Sequence, residues 1–409
     1  MHVFTEHALM KDLHQAGEKI VLLVLDGLGG LPLEASGKTE LETANTPNLD
    51  RLAAEASSGL SIPIRPGIEP GSGPAHLSLF SYDPVTYQIG RGVLEALGIG
   101  FELGRDDLAA RGNFASADKD GTITDRRAGR IDTEECIRLS AKLQDATGSC
   151  LPGYEVFVKP VKEHRFVLVL RGPGLGGELT ETDPLVTGKQ PLRATDKSGT
   201  PEGARSAELV NQWVSAARAV LLDEPKANSL NLRGLAKDPG LPSFGEIYGM
   251  RAAAIAVYPM YRGVASLVGM QPIPFQGDRP AHEIDALEQA WNDYDFFFIH
   301  IKKTDSYGED GNFEAKAKEI EAVDEVIPRI LALEPGALIV TGDHSTPAKL
   351  RSHSSHPVPT LLWSPIAMPD AAQSFGERAC ATGHLGLFHA TTLIPQAMYH
   401  AGRLKRFGA

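Results

Sequence analysis

The sequence predicts an α/β protein with a doubly wound sheet core, interrupted by a smaller inserted α/β domain. Three observations predict it. Continuous apolar runs of strand length recur towards both ends of the chain and end in Asp or His. A strand buried on both faces reads as such a run, and open α/β sheets place ligands at that carboxyl edge. Between about 111 and 237 the runs give way to shorter strands and Gly/Pro-rich loops such as Gly172-Pro173-Gly174-Leu175-Gly176-Gly177. Finally, 409 residues exceed what a single core usually holds. The expected division is residues 1–110 with 238–409 as the core and 111–237 as the insert.

The elements follow in order. Lys19 to Asp26, Lys-Ile-Val-Leu-Leu-Val-Leu-Asp, is the first buried strand, and Gly27-Leu28-Gly29-Gly30 follows it. Thr46-Pro47-Asn48-Leu49-Asp50 opens a helix, with Thr46 as N-cap and Pro47 at the first helical position. Glu69-Pro70-Gly71-Ser72-Gly73-Pro74-Ala75-His76 puts a serine between two glycines at a loop-to-helix junction. Flanking glycines would free the turn, and amides at a helix start favour a phosphoryl group. The insert should hold helices from Asp132 to Ala146 and Thr200 to Asp223, and strands from Glu155 to Val158 and Phe166 to Arg171. Buried strands return at Ala252 to Val257 and at Tyr294 to Ile301, the second leading into Lys302-Lys303-Thr304-Asp305. A helix from Phe313 to Leu333 should kink at Pro328. Strands follow from Ala337 to Val340, ending in Thr341-Gly342-Asp343-His344, and from Thr360 to Trp363.

Composition excludes several classes. A formal net charge of −12 argues against nucleic-acid binding, so an anionic ligand would need a local basic pocket. Cys136, Cys150 and Cys380 fit neither a disulfide framework nor a cysteine-rich zinc site, and a reducing cytoplasm is the expected setting. Lys11, Asp12 and Glu18 precede the first apolar run, and no run approaches the ~18 residues that span a bilayer. Neither a signal peptide nor a membrane span is expected.

The strand-end groups carry the chemistry: Asp26, Asp305 with Glu309, Asp343-His344, and His353. Each alone reads as readily as a cap or a satisfied histidine. Together they are a ligand set for two divalent cations of mixed N/O preference. Two such cations would activate Ser72 as the nucleophile of an in-line phosphoryl displacement. Arg111, Arg126, Arg127, Arg130 and Lys302 are candidates for the anion, although Arg126 to Arg130 also reads as a solvated loop. His76 and His164 are candidate proton carriers.

Val24-Leu25-Asp26-Gly27, Thr46 to Asp50, Ser72 through Tyr82-Asp83-Pro84, Lys302 to Gly311, and Thr341 to Pro347 together resemble the alkaline phosphatase superfamily. More narrowly they resemble the archaeal-type bisphosphoglycerate-independent phosphoglycerate mutases, over nearly the whole chain. The resemblance implies one metal on Asp26, Ser72, Asp343 and His344, and another on Asp305, Glu309 and His353. It implies substrate contacts from Arg111, Asn113, Arg127, Arg130 and Lys302, with Arg262 more loosely placed. The implied reaction interconverts 3-phosphoglycerate and 2-phosphoglycerate through phosphoserine at Ser72, with no bisphosphoglycerate, in a site closed against water. Two positions depart from the pattern: Glu309 stands where the family has a histidine, and Gly73 where it often has an acid. Glu309 favours manganese or magnesium over zinc, so manganese is the expected ion. The alternatives are a metal-dependent phosphatase or another phosphomutase of the same superfamily, and a non-catalytic metabolite-binding protein that keeps one metal.

Overall fold

The structure, a computed structural model, describes residues 7–408. In chain order the larger sheet begins with β1 (Ile20–Leu25) and β2 (Ser57–Ile62). The smaller sheet follows: β3 (Leu108–Ala117), β4 (Ile123–Asp125), β5 (Glu155–Lys162), β6 (Arg165–Arg171) and β7 (Ser229–Ala236). The chain then returns for β8 (Ala252–Ala256), β9 (Gln271–Pro272), β10 (Phe296–Ile301), β11 (Ala337–Thr341), β12 (Val358–Trp363) and β13 (Gly386–His389).

The larger sheet has eight strands in the order β13-β2-β12-β11-β1-β10-β8-β9. All six residues of β1 are buried, as a continuous aliphatic run requires when both sheet faces are covered. Its neighbours β10 and β11 are both parallel to it, with Leu25 beside Ile301 and Val24 beside Thr341. The segments after β1, β10 and β11 therefore leave the sheet at one level. Because the chain passes from one side of β1 to the other between β10 and β11, a crevice opens at that carboxyl edge. Beyond β11 the sheet turns antiparallel through β12 and β2.

Contacts divide the chain into two units. One contains the residues up to Gln88 and those from Pro242 onward; the other is Ile89–Leu241. The smaller unit starts well before 111, because helix Arg91–Gly98 packs on β3 and β7. Its sheet is antiparallel, with β3 between β6 and β7. Helices Thr133–Thr147 and Pro201–Leu221 cover it through Leu139, Leu143, Val210 and Trp213, capped by Asp132 and Thr200.

Two local expectations are corrected. Thr46 occupies the N-cap position of helix Pro47–Glu55 but makes no side-chain cap. Asp324 caps it instead, its Oδ1 accepting from Asn48 N at 2.9 Å and Leu49 N at 2.7 Å. The helix expected from 313 to 333 is two helices, Phe313–Asp324 and Ile327–Leu331. Pro328 lies in the first turn of the second, where its missing N–H leaves no bond unmade, so it marks a restart rather than a kink.

Candidate active site

β1 delivers Asp26 into the crevice, and its two oxygens have different surroundings. Oδ2 accepts from Tyr261 Oη at 2.5 Å and Lys302 Nζ at 3.0 Å, and lies 3.3 Å from His300 Nε2. Oδ1 is buried without a hydrogen-bond partner among the described residues and faces His344 Nε2 at 3.4 Å. β11 delivers Asp343 and His344. Asp343 Oδ1 accepts from Gly27 N at 3.0 Å, while Oδ2 is buried, unpartnered among the described residues and 3.1 Å from His344 Nε2.

Ser72 is the first residue of helix Ser72–Leu79, half-buried, with its Oγ 3.3 Å from His344 Nε2. Its glycine neighbours act differently from the sequence expectation. Gly71 is extended at φ −86° and Gly73 is helical, so neither takes a left-handed turn. A Cβ on Gly71 would meet nothing nearer than Pro74 Cδ at 3.8 Å, so the glycine leaves the space before the serine open.

The histidines share one device. His344 Nδ1 lies 3.0 Å from Thr346 Oγ1, whose hydroxyl donates to Asp305 Oδ1 at 2.7 Å. The threonine oxygen is then free to accept, which places the proton on Nδ1 and leaves Nε2 bare. His353 Nδ1 donates to Pro70 O at 2.9 Å, and its bare Nε2 faces Asp305 Oδ1 at 3.6 Å and Glu309 Oε1 at 3.9 Å. Fixing one ring nitrogen to expose the other is how imidazole is oriented for a metal.

Charge points the same way. Burial works against the Lys302 ammonium, but Asp26 and Asp305 more than offset it and raise its pKa. Burial and then the charge of Asp26 push Asp343 well above the carboxylate range. Burial holds His344 well below the usual imidazole value, so it stays neutral. Asp26, Asp305, Asp343 and Glu309 thus share one lysine, a set short of positive charge. Ligand atoms of Asp26, Asp343 and His344, and of Asp305, His344 and His353, lie within 4.8 Å of one another in each group. Orphaned buried oxygens, bare imidazole nitrogens and excess negative charge fit divalent cations.

Glu309 is the outlying member, its side chain 56% exposed. Lys302 belongs to this cluster through Asp26 and Asp305. Arg262 is half-buried and has no side-chain hydrogen bond or ion pair among the described residues; its neighbour Tyr261 is the one that reaches Asp26. His76 is fully buried, its Nδ1 donating to Ser72 O at 2.8 Å, and burial lowers its pKa to about 3. It braces the serine's helix and has no exposed nitrogen with which to carry protons.

In the smaller unit, Arg111, Asn113, Arg127 and Arg130 line one cavity of about 280 Å³, joined by Arg126, Glu163, His164, Arg165 and Arg233. Arg126 is committed to Asp183 by two bonds of 2.9 and 2.7 Å. Arg111 Nε, Asn113 Oδ1, His164 Nδ1 and Arg165 Nε are buried without hydrogen-bond partners among the described residues, although Glu95 lies 3.9 Å from Arg111 Nε and Glu163 3.9 Å from His164 Nδ1. The loop presenting Arg127 and Arg130 is a fixed turn: Asp125 accepts from Arg127 N and Gly129 N, and Ala128 and Arg130 hold φ of 48° and 51°. Backbone strain of that kind persists where a loop is built for a purpose. Burial, then the neighbouring Arg165, lowers the His164 pKa to about 4.

Sequence reasoning missed Tyr261, His300, Thr346, Arg165 and Arg233. His300 had a signal, an ionisable group inside the apolar run Phe296–Ile301; Tyr261 had none beyond its place beside Arg262.

Comparisons with known proteins agree on one family. A family model described as 2,3-bisphosphoglycerate-independent phosphoglycerate mutase matches residues 53–227. A Thermus thermophilus protein named as a probable enzyme of that kind is 50% identical over 404 residues, covering 98% of this chain and 99% of its own. A Thermotoga maritima relative of the same name is 51% identical, covering 96% of each. The solved cofactor-independent phosphoglycerate mutase of Thermoplasma acidophilum is 31% identical with a TM-score of 0.75, covering 94% of this chain and 100% of its own.

Proposed function

This chain belongs to the 2,3-bisphosphoglycerate-independent phosphoglycerate mutases, and from that membership we propose that it interconverts 3-phosphoglycerate and 2-phosphoglycerate through Ser72. The observation that carries the reading is the Ser72 hydroxyl at 3.3 Å from His344 Nε2, inside a cluster of carboxylates and bare imidazoles. Divalent cations held by Asp26, Asp343 and His344, and by Asp305 and His353 with Glu309 at the rim, would make the serine hydroxyl acidic and neutralise phosphoryl charge. Manganese is the expected ion, because a glutamate in place of a histidine makes the second site harder.

Ser72 Oγ gives up its proton and attacks phosphorus as the bond from phosphorus to the 3-oxygen of the substrate breaks, and that oxygen takes up a proton, leaving phosphoserine and glycerate. The 2-hydroxyl of the glycerate then attacks the same phosphorus, and Ser72 is regenerated. Lys302 stands beside Asp26 and Asp305, where its fixed charge favours the developing anion. The cavity arginines, with partly unpaired guanidinium groups, suit a ligand bearing both carboxylate and phosphate.

The test supplies Mn²⁺ and 3-phosphoglycerate without bisphosphoglycerate and quantifies 2-phosphoglycerate and free phosphate. The expected result is isomer without phosphate, abolished in Ser72→Ala. Phosphate without isomer would replace the mutase by a phosphatase.

A further inference from the structure

Lys316 lies on helix Phe313–Asp324 and is the one fully buried lysine among the described residues. Its Nζ donates to three backbone carbonyls: Gly27 O at 2.8 Å, Thr346 O at 2.9 Å and Gly29 O at 3.1 Å. Three acceptors match the three N–H groups of an ammonium, and Thr346 O among them has no other donor among the described residues. Burial works against its charge, Glu40 and then Glu377 favour it, and no carboxylate among the described residues hydrogen-bonds to it. A buried lysine without an ion-pair partner is a costly way to fill space, and methionine would pack as well. Packing therefore does not account for it.

The three carbonyls belong to the two loops that carry the candidate ligands. Gly27 follows Asp26, and its N–H binds Asp343 Oδ1. Thr346 follows His344 by two residues and orients both His344 and Asp305. We propose that Lys316 is a positioning residue, an internal cation that fastens the loop after β1 to the loop after β11 so that Asp26 and His344 face one metal. Its connections explain why the tie is rigid. Thr346 N donates to Gly27 O and Gly29 O at 3.2 and 3.0 Å, and Ser345 bridges to Leu28 and Gly29. Lys316 gathers the same two glycine carbonyls, and among the described residues it alone draws in Thr346 O. Losing it releases the backbone on which the His344 relay depends.

This inference rests on the metal reading above, and titrating Mn²⁺ by calorimetry without substrate separates the two. No uptake by the wild type would remove the reading itself. With uptake established, K316M is expected to bind Mn²⁺ at least about tenfold more weakly, the usual consequence of removing a group that orients metal ligands. At saturating Mn²⁺ its kcat should fall while KM for 3-phosphoglycerate stays within about twofold. In K316A, n-propylammonium replaces the missing atoms and should restore Mn²⁺ affinity, whereas tetramethylammonium, which has no N–H, should not. Unchanged affinity in K316M, or equal rescue by both amines, would reduce Lys316 to a filler of space. Should neither variant fold, ¹⁵N-lysine spectra of the wild type decide. The buried ammonium should give one resonance protected from water exchange that shifts when Mg²⁺ is added, and a resonance indifferent to Mg²⁺ would overturn the proposal.

Discussion

Asp26 shows how much of the site lies in single atoms. Its Oδ2 is claimed by Tyr261 and Lys302, and its Oδ1 is kept free, so the carboxylate can present only one oxygen inward. Tyr261→Phe removes a short hydrogen bond to an ionised group, worth about 1.5–3 kcal/mol. The expected outcome is a roughly tenfold or greater fall in kcat/KM with weaker Mn²⁺ binding, read from initial rates across a Mn²⁺ series. The candidate ligands were legible because Asp and His at strand ends stand out in an apolar background. Tyr261 was not, because a tyrosine on an amphipathic helix looks like core until its hydroxyl is seen to have a carboxylate partner. A second residue-scale prediction concerns Glu377, which accepts from Gly30 N and Thr39 Oγ1, and whose burial raises its pKa from 4.5 to about 7. A raised carboxyl pKa means that the folded state holds the proton more tightly. Its favourable contribution is thus full below pH 4.5 and is lost as pH rises through about 7. Urea unfolding of Glu377→Gln should show less loss of stability between pH 5 and 8 than the wild type, by an amount on the order of 1–3 kcal/mol.

At the scale of elements, what the sequence made visible follows from how each strand is buried. β1 and β8 are apolar throughout, β10 and β11 are apolar but for His300 and Thr341, and all four are fully buried. β2 is buried except at Leu60 but reads Ser-Ser-Gly-Leu-Ser-Ile. Its serines are satisfied from elsewhere, Ser58 by Asp370 and Ser57 by the Met368 carbonyl, so no hydrophobic run announces it. The turn after β1 was marked by glycine, and the structure shows why Gly27 is required. Its φ is +63°, and a Cβ would lie 2.4 Å from Thr346 Oγ1 and 2.9 Å from Asp305 Oδ1. Gly27→Ala should destabilise the protein by about 1–3 kcal/mol and weaken Mn²⁺ binding together, checked by thermal unfolding and calorimetry on one preparation.

For the whole molecule, the net charge of −12 makes the arginine cavity a local basic pocket on an acidic protein. Which arginines share that cavity was only half visible, since Arg165 and Arg233 come from strands far from the Arg126–Arg130 loop and meet it only through the pairing of β3 with β6 and β7. Metal linkage also acts at this scale. Raising Mn²⁺ to about 100 times its Kd should add about 2.7 kcal/mol per site, seen as a higher Tm that EDTA reverses. The order of the strands bears on synthesis. Ile20 pairs with Phe296, so the centre of the large sheet leaves the ribosome 276 residues before its partner. At roughly 5–20 residues per second, that aliphatic strand waits on the order of 14–55 s for its neighbour. The segment Ile89–Leu241 is complete long before then. Expressed alone it should be soluble, whereas a chain stopped at Ala290 should be captured by chaperones or precipitate: the newborn protein carries a finished smaller unit and an open hydrophobic strand at the same moment.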